Sequence, residues 1–380
     1  MIVIIIAIVA ILANSWHVIS AWVNQPANTY FTGIAHYYAD YFLYTSLMAQ
    51  KSWIFTEYLF TNEPLNPTWI YWFYTIIGKL GNPFVIYNVS IVVFSSFLLF
   101  LWWKIITQVT ADKFTRIMSF LFLTTASGFT GFDFWFSPLP ALNRLGGVPH
   151  QIFQTILLLS VLLLSVQLTN TSWQKLSFVS KAKLWSGKPS ILYAFLMVGV
   201  SFLTATANPI QMLLLSLAII LTNPRLLPFF IPAAAGALLT NAAFANDPIL
   251  IAAKVWENNQ HASVSLWQFI LALGPITLLM PFGVKQYMND VTQLKKTLTL
   301  FGLLSLTAFL LPIQSISGIS PVRWLSPAAY TELPILAALG LNKFKIPILL
   351  FYLLVTIPSM MYQIQARQND PRNLLYVPNE

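Results

Sequence analysis

Residues 36–80 read HYYADYFLYTSLMAQKSWIFTEYLFTNEPLNPTWIYWFYTIIGKL. This is the longest stretch that does not read as a membrane span, and it holds Asp40, Glu57 and Glu63, three of only eleven acids. Within it, Trp69, Trp72, Phe73, Ile76, Ile77 and Leu80 recur at three- and four-residue steps, opposite Thr68, Tyr71, Thr75 and Lys79. That period predicts an amphipathic helix over 67–80. At about 1.5 Å rise per residue its length is about 21 Å, too short for roughly 30 Å of hydrocarbon. A helix lying in the membrane interface fits this length and pattern.

On both sides of this stretch the chain turns apolar. Of its 380 residues 57% are hydrophobic and 8% charged, and the mean hydropathy is +0.70. Soluble domains carry roughly a quarter charged residues, so this is an integral membrane protein. Its apolar runs are continuous rather than alternating, which predicts helices and excludes a barrel. The expected fold is an all-α polytopic membrane protein with about eleven transmembrane helices. The candidate spans are 2–20, 83–103, 115–130, 151–168, 190–206, 210–222, 228–244, 266–283, 297–312, 328–340 and 346–362. The first twenty residues lack the basic start of a secretory signal and read as a retained helix. With no linker and no repeat, residues 1–380 are expected to form a single transmembrane domain. Residues 21–82 are expected to form its first extracytoplasmic loop, with no C-terminal soluble domain expected.

Orientation follows from the loops. With the N-terminus cytoplasmic and residues 67–80 not crossing, thirteen of the twenty Lys and Arg fall inside and seven outside, as the positive-inside rule requires. The basic residues are dispersed singly between apolar runs, so the net charge of +9 reflects topology and not nucleic-acid binding. Nine of the eleven acids fall outside, which places the polar chemistry there. The expected location is the plasma (inner) membrane, with membrane lipids as surroundings. The chain has no cysteine, which removes thiol nucleophiles and Cys-ligated metals.

Three places carry side chains suited to chemistry. Asp40 sits among aromatics where loop turns to helix, a setting that suits a general base; the alternative is a helix-start acid answering the macrodipole. In 131–151, GFDFWFSPLPALNRLGGVPHQ, Arg144 stands beside Gly146 and Gly147, a permanent cation next to backbone that a phosphate can approach. Snorkelling of Arg144 to lipid headgroups is the structural alternative. Arg323, in SISGISPVRWLSP, is a second cation of this kind, set against interface anchoring, and the intramembrane Glu332 is expected to pair with it. The turn ANPIQ at 207–211 reads as structural. The loop 245–265, with His261, reads as a solvated loop or an acceptor contact. No Walker loop, HExxH or GxSxG is present.

An acid followed by xxxY (Asp40, Tyr44), then NEPLNPTWIYWFYTIIGKLGNPFVIYNVS, resembles the first extracytoplasmic loop of GT-C type membrane glycosyltransferases. It is nearest the protein mannosyltransferase and lipid A aminoarabinose transferase group. In this resemblance Asn66-Pro67-Thr68 corresponds to the proline turn and Trp72 to the tryptophan of the surface helix. The resemblance implies an enzyme that transfers a sugar from a polyprenyl-phosphate donor to a lipid, glycan or protein acceptor, with inversion. Asp40 would be the base and Arg144 and Arg323 would hold the donor phosphate. His36, Tyr44, Glu63, His150 and His261 would contact the acceptor or support the site. A divalent metal, if one takes part, would fall to Asp40; the flanking Ala39 and Tyr41 depart from the paired acids of the family.

Two rival readings stand beside it. One is a multi-span transporter or flippase of lipid-linked or hydrophobic solutes, which would place charged sites at the bilayer midplane in two related halves. The other is a noncatalytic GT-C-fold protein that binds carrier lipid.

Overall fold

The computed structural model describes residues 1–33, 38–50, 69–129, 147–170, 189–246, 265–341, 345–369 and 376–378, with positions 251, 255 and 259. Helices α1 (Ile2–Val23), α2 (Tyr38–Gln50), α3 (Trp69–Gly78), α4 (Pro83–Val109) and α5 (Lys113–Thr125) come first. Next are α6 (Pro149–Asn170), α7 (Pro189–Ala207), α8 (Pro209–Thr222) and α9 (Ile231–Asn246). The C-terminal part holds α10 (Leu266–Leu273), α11 (Ile276–Asn289), α12 (Gln293–Leu310), a 3-10 turn Pro321–Trp324, α13 (Glu332–Leu341) and α14 (Lys345–Gln368). Strand β1 (Thr29–Phe31) pairs antiparallel with β2 (Tyr376–Pro378), Tyr30 opposite Val377.

Caps and prolines set the helix starts. Asn82 accepts from the Phe84 N–H at 2.9 Å with Pro83 at the first helical position. Asp112 accepts from both the N–H and the hydroxyl of Thr115 at 2.7 Å, satisfying donors the helix start of α5 would leave open. These bonds, the Thr115 hydroxyl first, hold the Asp112 carboxyl below the usual carboxylate value. The sign follows: a lowered folded-state value means the cap stabilises at neutral pH and is lost as pH falls through and below about 4. Asp112→Ala should cost about 1 kcal/mol at pH 7. Melting curves of the two proteins in detergent should converge near pH 3.

The all-α expectation holds, and each of the eleven predicted segments contains a helix. By length and apolarity five helices qualify to cross a membrane: Ile2–Val23, Pro83–Val109, Pro149–Asn170, Pro224–Ala243 and Pro347–Ala366. A sixth crossing results if the bent pair α10–α11 is one span. Eleven full crossings therefore exceed what helix length and composition support among the described residues; α5, α8 and α13 have only 13, 14 and 10 residues.

Two predicted boundaries change. The run 266–283 is not one rod: α10 and α11 meet at 91°, because Gly274 takes φ +76 and Pro275 has no N–H to continue the helix. The run 115–130 stops as helix at Thr125; residues 126–129 are extended, and the Phe129 N–H donates to the Leu271 carbonyl of α10 at 3.3 Å.

One apolar core runs from Ala10 of α1 to Tyr352 of α14, filled by side chains such as Phe120, Phe122 and Phe301. In α6, 61% of the apolar stretch is buried, against 11% in α1. Helix α6, packed between α4 and α7, is thus central, while α1 lies at the rim. A second, smaller core joins Tyr41, Leu47 and Met48 of α2 to Tyr71, Tyr74 and Ile77 of α3, Tyr87 of α4 and Val148. It forms a platform over one end of the bundle.

In helix α3 Tyr71, Tyr74, Thr75, Ile77 and Gly78 are buried, whereas Trp72, Ile76 and the following Lys79 and Leu80 are exposed. Tyr71 and Thr75 of the expected polar face thus turn inward together with Ile77 of the apolar one, and Lys79 stays outside. Where the surroundings are lipid, an exposed apolar stripe is the favourable arrangement.

Candidate functional site

The platform positions the first candidate. Asp40 lies in the opening turn of α2; its side chain is outside the described residues. The neighbouring Tyr41 is 2% exposed and locks this turn in place. Its hydroxyl donates to the Phe84 carbonyl at 3.3 Å and receives a bond from Asn88 Nδ2 at 3.2 Å. Asn88 Nδ2 also reaches the Gly33 carbonyl at 3.3 Å. Gly33 has φ +79, and a Cβ there would come within 2.7 Å of the Tyr41 hydroxyl, so both backbone and contact require glycine. Burial pushes the Tyr41 phenol well above its usual range, so it stays a neutral donor. The start of α2 is thereby tied to the start of α4.

One turn beyond Asp40, Tyr44 stacks on Tyr74 with centroids 4.4 Å apart and planes 12° apart. Tyr74 is fully buried, and its hydroxyl hydrogen-bonds His150 Nδ1 at 2.9 Å. The His150 ring also meets Tyr44 edge-on at 5.0 Å and Trp69 at 6.1 Å. A histidine two residues into a membrane-length helix is thus held by a tyrosine from the surface helix, an aromatic arrangement worth more than its buried area alone. The structure brings Tyr44 and His150 together, as the sequence reading groups them.

From His150 a polar ladder continues along the same end of the bundle. Gln154, one turn on in α6, donates to the Ala207 carbonyl at 2.7 Å. Asn208 caps α8 by accepting from the Gln211 N–H at 3.2 Å. Gln211, 1% exposed, donates through Nε2 to the Arg323 carbonyl at 2.7 Å. Arg323 is exposed on its 3-10 turn. Tyr44, His150 and Arg323, taken from three separate stretches of chain, therefore share one end.

Glu332 does not pair with Arg323. It is 6% exposed and accepts from the Thr299 hydroxyl at 2.7 Å. Residues 325–331 carry it away from the Arg323 turn into the interior, where Trp102 Nε1 donates to the Thr331 hydroxyl at 3.2 Å. Its carboxylate is satisfied within the bundle, a structural role.

His36, Glu63, Arg144 and His261 lie outside the described residues, as does the Asp40 side chain. Among the described residues no three His, Asp or Glu side chains gather to hold a metal. Sequence reading misses Tyr74, Gln154 and Gln211. The two glutamines carry a signal, being amides inside apolar helices, but their partners lie 53 and 112 residues away.

Comparison with solved structures finds a similar fold in an archaeal oligosaccharyltransferase. The crystal structure of the apo oligosaccharyltransferase of Archaeoglobus fulgidus matches with a TM-score of 0.53 at 11% identity, covering 96% of this chain and 56% of that one. The same organism's oligosaccharyltransferase AglB in complex with an inhibitory peptide and a dolichol-phosphate gives 0.49 at 12% identity over the same shares. The chain thus spans about 56% of the length of the solved protein it matches. No protein-family model and no curated protein matches the sequence.

Proposed function

We propose that this chain is an integral-membrane glycosyltransferase that transfers a sugar from a polyprenyl-phosphate donor to an acceptor on the extracytoplasmic side. The observation that supports this reading is that Tyr44 of α2 and His150 are in contact and a polar ladder leads from His150 to the Arg323 turn, in a fold similar to that of an oligosaccharyltransferase. A basic residue there suits a phosphate, and an acid in the first turn of a locked helix suits an acceptor proton. In this reading the N-terminus is cytoplasmic, residues 1–380 act as one GT-C-like transmembrane domain, and 21–82 form the extracytoplasmic platform.

The reaction is a single displacement. The acceptor hydroxyl gives its proton to the Asp40 carboxylate as its oxygen bonds to the anomeric carbon. The bond from that carbon to the phosphate oxygen breaks, and its electron pair leaves on the lipid phosphate. Attack from the opposite face inverts the anomeric centre. Arg144 and Arg323 stabilise the leaving phosphate, as preorganised cations do for developing charge. His36, Tyr44, Glu63, His150 and His261 support the acceptor side, and the acceptor is a hydroxyl of a lipid, glycan or protein.

Deletion tests this. Mass spectrometry of surface glycans and lipid-linked sugars, with and without the protein, should find one glycan missing and its polyprenyl-phosphate sugar accumulated. Unchanged carrier pools and glycans would refute transfer. Redistribution of an unchanged carrier pool between leaflets would indicate a flippase instead.

A further inference from the structure

The 3-10 turn that presents Arg323 is held at two successive carbonyls by side chains from two different helices. Gln211 of α8 donates to the Arg323 carbonyl, and Ser305 of α12 donates to the Trp324 carbonyl. The turn also closes on itself, Arg323 N–H to the Ser320 carbonyl at 3.0 Å and Leu325 N–H to the Val322 carbonyl at 3.2 Å. The next side chain, Trp324, is 8% exposed and sits in the main core, while Arg323 points out.

Neither clamp is explained by burial. Gln211 is 1% and Ser305 0% exposed, with leucines near each in the sequence, Leu213–Leu215 after Gln211 and Leu303, Leu304 and Leu306 around Ser305. An amide or hydroxyl buried in such a place costs free energy unless it is bonded. Among the described residues Gln211 Oε1 accepts no bond, so the amide side chain is used through its donor, on Arg323. A leucine at 211 and an alanine at 305 would serve the apolar packing. What the polar residues add is a fixed backbone beneath an exposed cation. Such a backbone is already in place when an anion meets the guanidinium, and this lowers the entropic cost of recognition.

We propose that Gln211 and Ser305 are positioning residues that preset the Arg323 turn for the phosphate of a polyprenyl-phosphate lipid. The inference rests on the reading of Arg323 as a donor-phosphate residue and extends it to two residues that touch no ligand. They act through the carbonyls of residues 323 and 324, so their effect is confined to binding that uses the Arg323 charge. Once that charge is removed, removing a clamp has nothing further to disturb.

The test uses the full chain in detergent micelles, with undecaprenyl phosphate as probe and undecaprenol, the same lipid without phosphate, as control. Binding is read by native mass spectrometry and melting temperature is measured in parallel. Arg323→Gln is expected to weaken the phosphate lipid about tenfold. Gln211→Leu and Ser305→Ala should each weaken it about three- to tenfold, with undecaprenol binding and melting temperature near wild type. Ser305→Thr, which keeps the hydroxyl, should restore binding. Arg323→Gln combined with Gln211→Leu should be no weaker than Arg323→Gln alone. If Arg323→Gln weakens binding and neither clamp variant does, the positioning role is wrong and the Arg323 reading survives. If Arg323→Gln binds like wild type, the Arg323 reading itself fails. Equal loss of both lipids in the clamp variants, or a lowered melting temperature with it, would make the clamps structural and overturn the inference.

Discussion

Asp40→Asn is expected to slow sugar transfer by about a thousandfold, within the range lost when a positioned general base is removed, and equivalent to about 4 kcal/mol of barrier. Asparagine keeps the size and the helix-start geometry but cannot take the acceptor's proton. The first turn of α2 is held through Tyr41, Asn88 and Gly33, and none of these contacts involves residue 40, so the variant should fold and express normally. A helix-start acid that merely answers the macrodipole makes a different prediction: loss of a few tenths to 1 kcal/mol of stability and near-normal turnover. Carrier-linked sugar that accumulates in cells expressing Asp40→Asn at wild-type level would support the base. Transfer at near-normal rate from the same cells would refute it. Asp40→Glu retains the carboxylate at a shifted distance and should recover part of the rate.

How much of the fold and site is legible in the sequence depends on how local each signal is. The helix beginning near Asp40 and the short helix over 67–80 follow from adjacent residues, and both are present at Tyr38–Gln50 and Trp69–Gly78. The exposure of Trp72 and Ile76 on α3 is also local once the outside is taken as lipid, since they then need no protein cover. The bend at Gly274–Pro275 has its letters in plain sight, but hydropathy averages over them and sees one apolar run. The sequence pairs Glu332 with Arg323 because an intramembrane acid needs a partner and Arg323 is the cation nearby. The path of 325–331 decides otherwise, sending the acid to Thr299 of α12. The Tyr74–His150 bond and the Gln211 clamp join residues 76 and 112 positions apart. No periodicity reports such a pair, because it is created by how the helices stack.

The largest loss of stability is expected where α11 and α13 meet. A Cβ at Gly283 would strike the Leu336 carbonyl, and one at Gly340 would strike the Leu279 carbonyl, each backbone resting on the other. Neither neighbour can give way as a flexible side chain would, since both are helical backbone. Within a membrane, where lipid tails are as apolar as leucine, such close approach of small residues is what favours one helix against another. Nine of the ten residues of α13 are buried, and it also packs on α5, so a displaced α13 has no slack to move into. Gly283→Val or Gly340→Val should therefore cost at least the upper end of the roughly 1–3 kcal/mol typical of overpacking. The double substitution should cost less than the sum, because the first already parts the helices. Gly199 in α7 is the control: nothing lies within 4 Å of a Cβ there, and Gly199→Ala should be neutral or gain up to about 1 kcal/mol of helix propensity. Thermal melting in detergent separates the two cases. A Gly340→Val protein that melts like wild type would mean that α13 is not held by backbone contact. The anchoring of residues 325–331, and with it the depth at which the Arg323 turn hangs, would then rest on Trp102–Thr331 and the Gln211 and Ser305 clamps.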